Sequence, residues 1–341
     1  MPKLLVGLVS TMLTVFMVVI SPFTLLSGYK TESITNAEEN CLLSFAAISD
    51  LHLRDNFLCG GMLRLGLEDM ASATDRLDAV VFDGDITDHG YVGMWDRFAN
   101  AVADYDIADN TFVVVGNHDT WGPNREDFFN SEDGVLTTFA KYNKIVSGRE
   151  ISHMYYSDVV NGYYMIALGS EDDCTDAYIS PEQLTWFAAE MEKASETGLP
   201  IFVLLHQPVN GTHGLPYNWE LNAEHPFEKG GIGDQSDDVL AILKKYDNVF
   251  YISGHVHAGL KNEGDLGVEY ASVEYLENNN GNKITLINLP SYLYPDVQRG
   301  GHLANGCGFV IEAYSDKVMI RARNFAVQTW LPEYDVTVEL V

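Results

Sequence analysis

"AAISDLHLRDN" (Ala46–Asn56) begins as an apolar strand and stops at Asp50, two residues before His52. A buried run that ends on Asp-x-His either caps a strand in a solvated loop or delivers two metal-binding side chains to one place. The pair alone is too common to decide between these. The ends of the other apolar runs decide it.

Those runs are "LLSFAAIS" (42–49), "LDAVVF" (77–82), "TFVVV" (111–115), "YYMIALG" (163–169), "IFVLL" (201–205) and "NVFYIS" (248–253). Between them lie the helical patterns "MLRLGLEDMASATDRL" (62–77), "GMWDRFANAVADY" (93–105), "SPEQLTWFAAEMEKASETG" (180–198) and "SDDVLAILKKY" (236–246). Ser180, Pro181 and Gln183 form a capping-box signature at the start of the third helix, and Gly198 is its expected stop. Strands and helices that alternate at this spacing predict an α/β fold with buried, largely parallel strands. Later the pattern changes. Asn280-Gly281, between "VEYASVEYL" and "KITLINL", predicts a hairpin with a type I′ turn. "GFVIEAYSDKVMIRARNF" (308–325) predicts two strands joined at Ser315-Asp316. Helices early and hairpins late suggest two packed sheets with helices outside.

Ligands of open α/β sheets lie off the carboxyl ends of the strands. Here those ends carry Asp50 and His52, Asp83-Gly84-Asp85 with Asp88, Gly116-Asn117-His118-Asp119, His206, and Gly254-His255-Val256-His257. Half of the ten histidines therefore follow strands, mixed with carboxylates and an asparagine. Imidazole, carboxylate and amide oxygen suit Zn, Fe or Mn. Seven such groups exceed the needs of one catalytic ion, whereas two ions about 3.5–4 Å apart that share a carboxylate would use them all.

The bulk composition bears on partners. With 341 residues, 46% of them hydrophobic, the chain can build a large core and is not expected to be disordered. Its net charge is -29, from 20 basic and 49 acidic residues, which disfavours long nucleic acid and anionic membrane surfaces. Two bound cations would give such a protein a local trap for a small anion. At the N-terminus Lys3, the apolar run Leu4–Ile20 and the small residues Ser27 and Gly28 read as a signal peptide or a retained signal-anchor over 1–28. A polar linker over 29–42 follows, then one domain over 43–341. Either reading of the leader places the protein outside the cytoplasm, secreted or membrane-anchored, with membrane contact only through that segment. Cys41, Cys59, Cys174 and Cys307 contain no Cys-x-x-Cys, against a structural zinc knuckle.

In order, D-x-H, G-D-x-x-D, G-N-H-D, a lone H and G-H-x-H resemble the calcineurin-like metallophosphoesterase superfamily. The resemblance implies a four-layer α-β-β-α sandwich of two mixed sheets, with the metal site at the strand carboxyl ends. It implies that Asp50, His52 and His257 hold one ion, that Asn117, His206 and His255 hold another, and that Asp85 bridges both. Water held by the ions would attack phosphorus in line. His118 would neutralise phosphate charge and protonate the leaving oxygen, Asp119 would fix its tautomer, and Asp88 would support the ligands from behind. "SDLHL", "GDITD" and "GHVH" look most like the cyclic-nucleotide and glycerophosphodiester phosphodiesterase branch, which implies a small phosphodiester as substrate. The alternative is an acid-phosphatase-like monoesterase. The purple acid phosphatase branch has a tyrosine ligand three residues after the bridging aspartate, where this chain has Asp88. A non-catalytic scaffold would show lost ligands, and none is lost. Arg54, His213 and His302 are further candidates for substrate contact, while Arg299, His89, His153 and His225 read as surface residues.

Overall fold

The computed structural model describes residues 31–341 apart from 55, 123–127, 130–133, 173–174, 216–229, 263–269 and 298. The expected leader over 1–28, Cys174 and His225 lie outside the described residues. The chain divides into two units, 1–32 and 33–341, and all described elements belong to the second. Part of the expected linker is built into that unit: Ile34 is fully buried, and the amides of Asn36 and Ala37 donate to the carboxylates of Asp75 and Glu312.

The first sheet is ordered β12-β11-β10-β1-β2-β3, with β13 pairing β11 as well. Its strands are β1 (Leu43–Ile48), β2 (Ala79–Asp83), β3 (Asn110–Val114), β10 (Cys307–Ala313), β11 (Lys317–Asn324), β12 (Thr329–Trp330) and β13 (Val336–Glu339). The second sheet is ordered β4-β5-β6-β7-β9-β8. It contains β4 (Tyr156–Val160), β5 (Tyr163–Ala167), β6 (Ile201–Leu204), β7 (Val249–Ser253), β8 (Val273–Glu277) and β9 (Lys283–Asn288). β1, β2 and β3 are parallel, as are β5, β6, β7 and β9. The late hairpins and β4 pair antiparallel, so both sheets are mixed.

The sheets pack face to face through Phe45 of β1 against Phe202 of β6, with ring centroids 5.0 Å apart, and Phe112 of β3 against Tyr156 of β4. Five helices accompany them among the described residues: α1 (Phe57–Ala71), α2 (Val92–Ala103), α3 (Val135–Ser147), α4 (Pro181–Ser195) and α5 (Ser236–Leu243). On α2 the residues Met94, Trp95, Phe98 and Val102 recur at helical spacing and are buried, with Phe98 edge-on to Phe82 of β2. A second apolar cluster joins Phe187 and Met191 of α4 and Val239 and Leu243 of α5 to Val203 and Tyr251 of the second sheet. No described helix is long and apolar enough to cross a membrane.

Several local expectations are corrected. The type I′ turn is at Asn161-Gly162, where φ is +51° and +89° and Val160 pairs with Tyr163. Asn280-Gly281 instead lies in a five-residue loop between Glu277 and Lys283, and of the pair only Gly281 has positive φ. Asn278 closes that loop, because its side-chain oxygen accepts from the amides of Asn280 and Asn282. α1 starts five residues before the expected point, since Asn56 accepts from the amides of Leu58 and Cys59, a cap strong enough to carry the helix through Gly60-Gly61. Only half of the capping box forms on α4: Ser180 accepts from Gln183, but the Gln183 side chain bonds Gly169 and Glu171 instead. α4 ends at Ser195, short of Gly198. Arg299 is buried and donates to the Val256 carbonyl. Cys41, Cys59 and Cys307 are free thiols.

Candidate metal centre

The carboxyl ends of β1, β2, β3, β6 and β7 point to one edge of the sandwich, and each delivers its polar residues there. The crossing from strand to site is abrupt. Asp50, His52, Asp85, His255 and His257 all have φ between +41° and +69°. This left-handed region costs L-residues about 1–2 kcal/mol each, and strain of this kind collects at functional sites. Backbone hydrogen bonds from Asp50 to Gly84 and from His52 to Asp85, and from Gly254 to His206, lock the loops against one another. Glycine is required where these loops touch. A Cβ on Gly116 would lie 2.2 Å from the Asp85 amide nitrogen, and one on Gly84 would lie 2.5 Å from the His206 ring.

Three groups of donor atoms result among the described residues, and the one nearest the rim is His52, Asp88 and His118. Asp50, His52, Asp85 and His257 offer atoms mutually within 4.8 Å, and so do Asp85, His206 and His255. Asp85 belongs to both. In the first group His257 Nε2 lies 3.0 Å from Asp50 Oδ1 and 2.9 Å from His52 Nε2. In the second, His206 Nε2 lies 3.2 Å from Asp85 Oδ2. Asn117 precedes His118 at the end of β3, its Oδ1 buried and without a hydrogen bond.

The donors fit metal ions. His206 Nδ1 sits 2.7 Å from the Asp83 carbonyl, which only accepts, so this nitrogen carries the proton. The lone pair of a neutral His206 ring therefore faces the Asp85 carboxylate, and neither His206 Nε2 nor Asp85 Oδ2 makes a hydrogen bond. Two facing lone pairs need a cation between them. In the metal-free protein a proton takes that part. Burial opposes it, but Asp85 and Asp50 raise the His206 imidazole to about 10, and Asp50, Asp88 and Asp85 do the same to His52. Conversely, burial would raise the carboxyls of Asp50 and Asp85, but the surrounding imidazoles hold both well below the carboxylate range. Burial keeps His255 well below its ordinary value.

His118 stands at the rim. Its Nδ1 lies 3.0 Å from the Asp88 carbonyl, so Nε2 turns inward, 4.0 Å from Asp85 Oδ2. Burial lowers its pKa. The expected partner of His118 is thus corrected: Asp119 does not touch its ring. Asp119 accepts from the amides of Ile86, Thr87 and Gly116 and from the Thr87 hydroxyl, tying the β2 and β3 loops together. Burial and the Asp85 charge push the Asp119 carboxyl up to about 6. Asp88 faces His52 Nδ1 at 3.5 Å and carries Arg54 and His89 on the same carboxylate. Burial opposes ionisation of Asp88, but His52 and Arg54 hold its carboxyl low.

Neither loop histidine joins these groups. His213 is buried with Nδ1 against the Ala271 carbonyl, fastening its loop to the segment before β8. His302 pairs through its backbone with Leu260, and its ring packs near Tyr334. Sequence reasoning missed Trp121, whose ring lies 4.0 Å from that of His118, and His89. Trp121 caps the short 3-10 turn His118–Thr120, which returns its ring to that of His118. Asp83 was read only as a strand end, yet it is fully buried and neither of its carboxylate oxygens has a hydrogen bond. Burial pushes its carboxyl up to about 8.

Mixed sheets that converge on paired His/Asp clusters define a hydrolase with a metal site. The chain belongs to the calcineurin-like phosphoesterase family, whose model matches residues 43–259. Its fold is similar to that of a dimetal phosphatase from Danio rerio, at 14% identity and TM-score 0.56, covering 88% of this chain and 100% of that one. It is equally similar to a purple acid phosphatase from yellow lupin (Lupinus luteus) seeds, at 12% identity and TM-score 0.56, covering 87% and 53%. A third similar structure is GAP50, the anchor in the inner membrane complex of Plasmodium, at 13% identity and TM-score 0.50, covering 88% and 89%. At these identities the likeness concerns the fold. No curated protein matches the chain.

Proposed function

We propose that this protein is a binuclear metal-dependent phosphoesterase that hydrolyses a small phosphodiester outside the cytoplasm. One observation carries the reading: two buried donor groups share Asp85, and the inward nitrogen of His118 lies 4.0 Å from its carboxylate. Asp50, His52, His257 and Asp85 would hold one ion of Zn, Mn or Fe, and Asn117, His206, His255 and Asp85 the other. Bound ions supply Lewis acidity toward the phosphoryl oxygens and a water of lowered pKa. The chain's own residues do the rest. The backbone locks among the strand-end loops hold the donors in place before substrate arrives. The Asp88 carbonyl accepts from Nδ1 of His118 and so aims Nε2 at the site, where the ring, once protonated on Nε2 as well, can donate to the leaving oxygen. Asp119 acts as a positioning residue, through the loops it joins.

The diester preference rests on the branch-like motifs and on Asp88. At the place of the purple acid phosphatase tyrosine, Asp88 braces His52 and pairs with Arg54. A structural likeness to an anchor protein raises a non-catalytic reading, but a complete donor set with His118 poised beside it favours catalysis. Assay of the purified protein supplied with Mn or Zn, against bis- and mono-nitrophenyl phosphate, cyclic nucleotides and glycerophosphodiesters, tests substrate class. Preference for monoesters would overturn the diester assignment. His118→Ala is expected to keep its metal content while kcat falls about 10²–10⁴-fold. Loss of metal with His118 would overturn the role given to it.

A further inference from the structure

Asp88 is a hub. Its side chain is only 7% exposed, while the two side chains it holds, Arg54 and His89, are each 52% exposed. Asp88 Oδ2 lies 2.9 Å from Arg54 Nε and 2.8 Å from His89 Nδ1, and Oδ1 lies 3.0 Å from Arg54 Nη2. The guanidinium is also 5.6 Å from the centre of the Tyr294 ring, and the His89 ring runs parallel to Tyr91. An arginine has five N–H donors, of which this fork uses two. The others are held outward in a fixed plane, so the rotamer entropy that a mobile arginine loses on binding is already spent.

The position of this pair relative to the centre is defined twice. Arg54 follows His52 by two residues, a reach of at most about 7 Å. The Asp88 carbonyl holds His118, the residue that faces the leaving oxygen, while its carboxylate faces His52. We infer that Arg54 and His89 form a subsite for a second oxyanion, carried on the leaving group of the substrate. This assignment rests on the phosphoesterase reading. It explains why a protein with an excess of acidic residues presents a pre-oriented guanidinium and imidazole beside His118. A leaving alcohol bearing a phosphate or carboxylate would take bidentate hydrogen bonds from the outer guanidinium edge, and the His89 ring, when protonated on Nε2 as well as Nδ1, would add a further donor.

The test compares non-hydrolysable arylphosphonates bound to the metal-loaded protein by calorimetry: phenyl, carboxyphenyl and phosphonomethylphenyl. The two anionic forms, which separate the carboxylate and phosphate sources, are expected to bind at least about tenfold tighter than the neutral one. The double variant Arg54→Gln/His89→Gln is expected to erase that ratio, and Arg54→Lys to restore part of it, since lysine keeps the charge without the fork. A ratio near one in the wild-type protein, or a ratio that the double variant preserves, overturns the subsite. Strong discrimination without hydrolysis of the matching aryl phosphates, as either monoesters or methyl diesters, would instead overturn the phosphoesterase reading and leave the subsite standing.

Discussion

Two groups of charge are buried in this protein, and they are built on opposite rules. Asp69 of α1 and Arg323 of β11 face one another as a bidentate pair, Nε to Oδ2 and Nη2 to Oδ1 both at 2.7 Å, with Trp330 beside the guanidinium. Each charge there answers the other. At the strand ends, Asp50, Asp85, Asn117 and His206 are equally buried, yet each presents an atom with no hydrogen bond. The structural pair aims two donors at the two oxygens of one carboxylate, whereas the site aims several groups at a space between them. Burial alone does not separate the two cases, and neither does charge. Direction does.

Breaking each group in turn should expose the contrast. The largest effect is expected from Asp85→Asn, because this carboxylate belongs to both donor groups. Hydrolysis is expected to vanish and bound metal, measured by elemental analysis, to fall for both ions. Retention of a full metal complement would show that the groups do not share a ligand. Asp69→Ala should act on stability instead, by about 3–5 kcal/mol, because it strands the Arg323 charge. Replacing both, as Asp69→Leu with Arg323→Met, is expected to recover most of that loss, since burial still pushes the Asp69 carboxyl up despite its partner. Denaturant unfolding measures both, and a double variant as unstable as the single would show that the pair itself is required.

Asp83 sharpens the comparison because it obeys neither rule. Its native pKa of about 8 lies above the unfolded value, so in the metal-free protein the folded state retains a proton that the unfolded chain has lost. The contribution of Asp83 to stability is therefore expected to fall as pH rises from about 4 to 8 and to level off beyond. Asp83→Asn removes that dependence. Its advantage over the wild-type protein is expected to grow with pH across the same window. Parallel stability curves for the two proteins would show that the Asp83 carboxyl has a partner in solution.

Much of the site was legible because its residues follow strands one after another. Asp50, Asp85, His206 and His255 are recognisable as soon as the apolar runs before them are. What failed depended on contacts across the fold. Asp119 is adjacent to His118 in sequence, yet its carboxylate is directed at the β2 loop by two amides and a hydroxyl there. His213 and His302 sit in glycine-rich stretches that resembled open loops, but backbone pairing drew one inward and turned the other toward Tyr334. β4 and α3 were overlooked because "YSDVV" alternates weakly and "VLTTFAKYNKIVS" is rich in β-branched residues. Packing of Tyr142 against Trp95 of α2 overrides that propensity.

The fold class and the candidate donor residues at the strand ends were legible in the sequence, because hydrophobic periodicity and strand-end chemistry are local properties. It took the packed structure to decide that the Asp88 carbonyl rather than Asp119 sets the His118 tautomer, and that Arg54 and His89 share one carboxylate. Each of these depends on the direction of a lone pair or an N–H, which the left-handed turns and the packing of two sheets establish across long separations in the chain.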